Sequence, residues 1–251
     1  MLGWFSRVIT PRISLLVPFL NEEALLPETF RHLRGMLDGA PTAVANDSEV
    51  ILVDAGSHDA SPILANTAAS ESGWTVVEAR LDSPSVGRTL ACGLEAARGQ
   101  TVIFLPADCW LSADALVRLH THLGAHPGAC GGFAKRYDPQ PAILGGYAWL
   151  QNRFRLRGLR QLVWTNGIFG PRDALRHSGI PQAGFLEDLQ LSDTLRGRAG
   201  WVALRSEIGV SARRYYPNKI VRRILLNLVI LGVYRARLAR IDTLRRWYRA
   251  V

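Results

Sequence analysis

Carboxylates recur in this chain directly after short apolar runs, a position from which they can reach a ligand. Pro18-Phe19-Leu20-Asn21-Glu22-Glu23 follows the run at 13–17, and Asp54 ends the run at 49–53, ahead of Ala55-Gly56-Ser57-His58-Asp59. Asp108 follows the run at 101–105 across Pro106-Ala107. An acid leaving a strand accepts hydrogen bonds from a base N–H or a ribose hydroxyl, and Asp108 is placed to hold Mg²⁺ or Mn²⁺ against a diphosphate. Gly87-Arg88 opens a helical stretch where backbone N–H groups and a guanidinium suit phosphate. Leu186-Glu187-Asp188-Leu189 sets two adjacent carboxylates at a helix start, where Asp188 can take a proton from a hydroxyl and Glu187 can support it. Each cluster also has a plain local reading. The acids and Asn21 can cap helices or offset their dipoles, Gly56 and Ser57 can serve a turn, and Arg88 can be a surface cation.

These residues need a scaffold that gathers strand ends. Residues 13–18 read as a buried strand, and a helix capped by Asn21 follows with Leu25, Leu26, Phe30, Leu33 and Leu37 at helical spacing. Residues 39–48 read as a polar loop, 49–54 as a strand, 61–72 as a helix, 74–79 as a strand, 87–97 as a helix and 101–105 as a fourth strand. Such alternation predicts parallel pairing with right-handed crossovers, and ligands then bind beyond the carboxyl ends of the strands. The three strand-end clusters are therefore expected in one crevice. The later part is less regular, with a strand over 129–137, a helix over 143–159, an extended stretch over 163–169 and a helix over 185–195. The expected organisation is one catalytic domain over 1–217, with a nucleotide half at about 12–108 and an acceptor half at about 109–217, followed by a helical tail at 218–251.

Forty-eight per cent of the residues are hydrophobic, enough for a packed core, which excludes a disordered chain. The net charge of +9 is uneven: residues 213–251 hold eleven Lys+Arg and one acid, and the remainder is close to neutral. A basic tail on a neutral body argues against nucleic acid as the partner and for a helix on an anionic membrane surface. Tyr234, Leu238, Ile241, Leu244 and Tyr248 are expected to form its apolar face; packing on the domain and a dimer contact are the alternatives. Cys92, Cys109 and Cys130 lack paired metal spacing and read as reduced core residues. With no convincing signal peptide and no spanning segment, the expected location is cytoplasmic, with the tail on the inner membrane face.

Taken in order, these blocks resemble the family 2 glycosyltransferases of GT-A fold, over roughly residues 13–214. Gly87-Arg88, Gly131-Gly132-Phe133, Leu186-Glu187-Asp188 and Ser211-Ala212-Arg213-Arg214 are most similar to the small bacterial arsenosugar-biosynthesis branch, also described as radical-SAM/selenodomain-associated transferases. The resemblance implies a Rossmann-like, mostly parallel central sheet flanked by helices. It implies a UDP- or GDP-linked sugar as donor, a divalent metal, inversion at the sugar, and a hydroxyl-bearing acceptor that is a small molecule or lipid-linked. Pro18, Glu22 and Asp54 would hold base and ribose, with Asn21, Glu23 and Ser57 in the same blocks. Arg88 would lie near the nucleotide, Asp108 matches the last acid of the Asp-x-Asp metal motif, Asp188 matches the base, and Arg213-Arg214 falls where a basic motif approaches phosphate. Two positions depart from the pattern: Pro106 replaces the first acid of the metal motif, and Trp164-Thr165-Asn166-Gly167 stands where the branch often has Gly-Asp-Gln. Two other classes stay open, a non-catalytic sugar-nucleotide-binding scaffold and a nucleotidyltransferase. The latter is disfavoured because Phe19-Leu20-Asn21 lacks the glycines of a phosphate loop.

Overall fold

The computed structural model describes residues 10–81, 85–215 and 220–249. The expected boundary at 217/218 falls outside them. The first half alternates strand and helix: β1 (Ile13–Phe19), α1 (Leu26–Asp38), α2 (Thr42–Asn46), β2 (Ser48–Asp54), α3 (Ser61–Ser72), β3 (Thr75–Glu78), α4 (Val86–Ala96) and β4 (Thr101–Phe104). Then come β5 (Cys109–Leu111), α5 (Ala113–Ala125), β6 (Cys130–Asp138) and α6 (Ala142–Leu150), which runs on as a π-helix (Gln151–Gly158). A 3-10 turn (Trp164–Asn166) precedes β7 (Phe169–Pro171), α7 (Arg172–Ser178), α8 (Glu187–Arg196) and β8 (Trp201–Ser211). A second 3-10 turn (Ala212–Tyr215) follows β8, and α9 (Ile220–Arg235) and α10 (Ile241–Arg249) end the described chain.

One eight-stranded sheet has the order β3-β2-β1-β4-β7-β6-β8-β5. β3, β2, β1 and β4 are parallel neighbours, as are β6 and β8, while β7 and β5 run antiparallel to their partners. This is the expected α/β architecture, a mostly parallel sheet flanked by helices. Ile13, Leu15, Val17 and Phe19 of β1 join one core with α1 and α5, while Leu16 joins the other with α4, α7 and α8. The period-2 alternation thus feeds both faces, which is why a parallel strand reads as a continuous apolar run. Burying one such aliphatic side chain contributes about 1.5–3 kcal/mol. Gly93 lets α4 lie close on the sheet: a Cβ there would sit 2.7 Å from a methyl of Val53.

Several local expectations are corrected. α1 starts only at Leu26, and Asn21 does not cap it; it takes φ 52°, and its side chain accepts from the His58 backbone instead. The loop at 39–48 contains α2, anchored by buried Val44. The stretch 163–169 is not extended throughout. Asn166 turns it, accepting from Val163 N and donating to Phe133 O, and Gly167 closes the turn at φ 56°.

The tail is two helices, so its five apolar residues do not form one face. The chain turns at Arg237 (φ 55°), leaving Leu238 77% exposed while Leu244 is fully buried. Tyr248 packs 5.5 Å from Phe185, and the Arg223 guanidinium lies 4.9 Å from the Tyr248 ring. Asp193 of α8 accepts from Tyr234 and pairs with Arg235. Among the described residues no helix is long and apolar enough to cross a membrane.

Candidate active site

The ends of β1 and β2 lie side by side, with Phe19 in register with Asp54. Their loops are joined by a hydrogen-bonded ladder. Asp54, buried, accepts from Ser57 N at 2.9 Å and Ser57 Oγ at 2.7 Å, and Ser57 Oγ accepts from Asn21 N at 2.9 Å. Glu22 N donates to Ser61 Oγ, and Glu23 N donates to Asp59. The Glu23 carboxylate itself accepts from Ala60 N, bracing the turn into α3, while Asp59 accepts from Ser61 N at the helix start. Pro18 pairs in register with Val53 at the floor of this ladder.

A second group surrounds a cavity of about 540 Å³. Asp108, Glu187, Asp188 and Arg214 line it; Pro18, Asn21, Glu22, Glu23, Asp54 and Ser57 do not. The two groups are tied by consecutive arginines. β5 pairs with the end of β8, and Ser211 N donates to Asp108 O, which fixes the 3-10 turn beside both strand ends. From that turn Arg213 grips the Glu22 carboxylate with two nitrogens, and Arg214 Nε lies 3.2 Å from Asp108 Oδ2. The bond to Glu22 raises the Arg213 pKa.

Glu187 and Asp188 have different tasks. Glu187 is buried; it accepts from Gly87 N at 2.8 Å and from Gly184 N at 2.7 Å, pinning the start of α8 to the start of α4. A side chain at Gly87 would overlap the Pro181 carbonyl and press on the Glu187 carboxylate, so this contact depends on glycine. Arg88 follows with its backbone N–H on the Ser85 hydroxyl, which caps α4. Asp188 accepts from Trp164 N at 3.3 Å and Leu189 N at 2.8 Å. Burial raises its pKa, against the lowering pull of those N–H groups, Arg155 and Lys135.

Sequence reading missed Lys135, Tyr137 and Arg155, which also line the cavity. Lys135 is 3% exposed and donates to Thr165 Oγ1 at 2.7 Å; burial pushes its pKa well down, with Arg155 adding to the effect. Tyr137 donates to Gln151 and lies 3.3 Å from the Tyr215 hydroxyl. Phe133, Lys135 and Tyr137 alternate along β6, so strand period 2 would have found them on one face.

Among the described residues no group of three His, Cys, Asp or Glu could hold a metal by itself. Pro106 removes the second candidate carboxylate beside Asp108. Mg²⁺ is commonly bound through one or two carboxylates completed by substrate phosphates and water. Buried Asp108, facing the cavity with Arg214 on one oxygen, fits that minimal donor set.

The family model "Glycosyl transferase family 2" matches residues 14–180. A Mycobacterium bovis protein named PGL/p-HBAD biosynthesis glycosyltransferase is 32% identical over 162 residues, 63% of this chain and 56% of that protein. An undecaprenyl-phosphate 4-deoxy-4-formamido-L-arabinose transferase from Pseudomonas paraeruginosa is 36% identical over 109 residues, 43% of this chain and 31% of that protein. The chain thus spans at most 56% of the length of these two relatives. Among solved structures, a mannosyltransferase from Pyrobaculum calidifontis in complex with GDP-Man and Mn²⁺ superposes with a TM-score of 0.65 at 19% identity, covering 93% of this chain and 66% of that one. TarS from S. aureus in complex with UDP-GlcNAc gives a TM-score of 0.60 at 15% identity, over 88% of this chain and 66% of that one. These neighbours carry the GT-A fold.

Proposed function

Because the chain belongs to glycosyl transferase family 2, we propose that it moves a sugar from a nucleotide-diphosphate donor to an acceptor hydroxyl with inversion. The observation that carries this reading is the cavity in which Asp108 with Arg214 and Asp188 with Lys135 share one wall set. The ladder at the ends of β1 and β2 is the natural seat for the nucleoside: the Asp54 and Glu22 carboxylates suit ribose and base donors. Diphosphate then falls toward Arg213, Arg214 and the Arg88 side chain, since the Gly87 and Arg88 backbone N–H groups are taken by Glu187 and Ser85. A Mg²⁺ or Mn²⁺ ion held by Asp108 and the donor phosphates would add positive charge beside the leaving group.

Asp188 accepts the proton of the acceptor hydroxyl as that oxygen bonds to the anomeric carbon and the diphosphate departs from the opposite face. The carboxylate must be ionised for this, and the two backbone N–H groups orient it. Glu187 is a positioning residue: it fixes the first turn of α8 and hence the carboxylate beside it. Arg214 offsets the negative charge gathering on the leaving diphosphate. A UDP- or GDP-linked sugar is the donor class, and the acceptor is a small hydroxylated molecule or a lipid-linked one. The undecaprenyl-phosphate transferase relative supports the second. The branch-level likeness to arsenosugar-type transferases, the single-domain reading and the cytoplasmic or inner-membrane location belong to this proposal too.

A thermal-shift screen of UDP- and GDP-sugars with and without Mn²⁺ tests it, since a ligand of the folded state raises its stability. At least one donor should raise Tm, more so with the metal, and should be consumed when acceptor is supplied. Stabilisation by no nucleotide sugar under either condition overturns the reading. Stabilisation without any turnover, across a panel of hydroxylated acceptors, favours a binding protein.

A further inference from the structure

We propose that the face built by α6, the π-helix and the outer side of α9 seats on a membrane leaflet bearing anionic lipids. The apolar residues first expected to do this, on the tail, include two turned inward: Leu244 is buried and Tyr248 packs on Phe185. A different set remains outside. On α6 and the π-helix, Ile143, Trp149 and Phe154 are 45%, 62% and 53% exposed; on α9, Val221, Leu225 and Val229 are 56%, 56% and 51% exposed. The two sets meet in a shallow apolar pocket where Ile143 and Trp149 face Val221 and Leu225. Scattered exposed apolar residues need no explanation, but a contiguous patch from two packed helices does.

Charge selects the occupant. α6, the π-helix and α9 contain no acidic residue, whereas Arg153, Arg157 and Arg222 are all exposed on them. Trp149 packs edge-on to Phe154 at 5.8 Å, and the Arg153 guanidinium lies 5.9 Å from the Phe154 ring. Aromatic rings beside arginines suit the headgroup boundary of a bilayer. A second copy of this chain would bring arginine against arginine, with no acid on these elements to answer them. The apolar pocket shares Tyr147 and Leu150 with the large cavity, and Phe154 and Leu228 both line that cavity and reach the surface. A leaflet seated here would therefore lie at the cavity mouth, where an acceptor on an aliphatic anchor can enter. The docking itself does not depend on the roles proposed for the carboxylates.

Flotation of the full chain with phosphatidylcholine vesicles, with and without phosphatidylglycerol, tests the inference. Removing Arg153, Arg157 and Arg222 together as glutamines should lower affinity for the anionic vesicles by about tenfold or more, since each basic group near such a surface adds measurable attraction. Trp149→Ser with Leu225→Ser should weaken binding by about tenfold as well. Rising salt should release the wild type and leave the glutamine variant little changed. Tm and its rise with a nucleotide sugar, measured alongside, show that both variants are folded. Equal weak binding to both vesicle types, or variants that float as the wild type does, overturns the proposal. So does a wild-type dimer in sedimentation that Trp149→Ser with Leu225→Ser splits without altering flotation.

Discussion

The two halves of the sheet handle polar groups in opposite ways. At the ends of β1 and β2 the carboxylates and hydroxyls are bonded to one another and to backbone N–H groups of short βα loops, with Asp54 buried and Glu22, Glu23 and Ser57 nearer solvent. Around the cavity, Lys135 and Tyr137 are carried on a buried strand and Asp188 on a helix start, among aromatic and aliphatic walls. The first arrangement gives a preformed seat whose members are held by local turns. The second gives charges whose energy depends on burial, so small changes there act on chemistry before they act on folding.

The sharpest way to break this contrast is Asp188→Asn, which keeps shape and removes the proposed base. Turnover of donor with acceptor should fall by about 10²–10⁴-fold, the usual worth of a positioned general base, while donor-induced stabilisation persists. Near-normal turnover would return the site to the β1–β2 side. Gly87→Ala should come next: the added methyl meets the Pro181 carbonyl and Glu187. Overpacking of this kind costs about 1–3 kcal/mol, read as a lower Tm in thermal unfolding, with a matching loss of turnover because Asp188 moves with its helix.

The acid limb of the pH–rate profile should lie above the ordinary carboxylate value of 3.8, because burial raises the Asp188 pKa. Its link to stability has a definite sign: protonated Asp188 is favoured by the fold, so its contribution is full below 3.8 and is lost as pH rises through the folded pKa. Asp188→Asn should therefore gain stability relative to wild type across that window in denaturant titrations. The smallest effect belongs to Glu22→Gln. A half-exposed ion pair is worth about 0–1 kcal/mol, so unfolding should barely change while donor affinity, measured by calorimetry, weakens.

The same contrast explains what could be read from the chain. Mostly apolar runs such as ISLLV and EVILV announce parallel strands, and the acids that follow mark their ends; helix α3 at 61–72 was legible to the residue. The cavity was legible only in part. Asp108, Glu187, Asp188 and Arg214 stood out through their neighbours, but Lys135 sits in a strand whose partners are distant in sequence, pairing with β8 across residues 201–211. The alternation of Phe133, Lys135 and Tyr137 gives its face, but nothing local announces that the lysine on that face is buried. Asn21 was misread as a helix cap because its actual partner, His58, arrives from another loop.

The neighbouring arginines at 213 and 214 carry one more consequence. They share a single turn, and their guanidiniums hold anions rooted in the loops that follow the neighbouring strands β1 and β4. Neither loop can drift without tugging that turn, so the two are yoked.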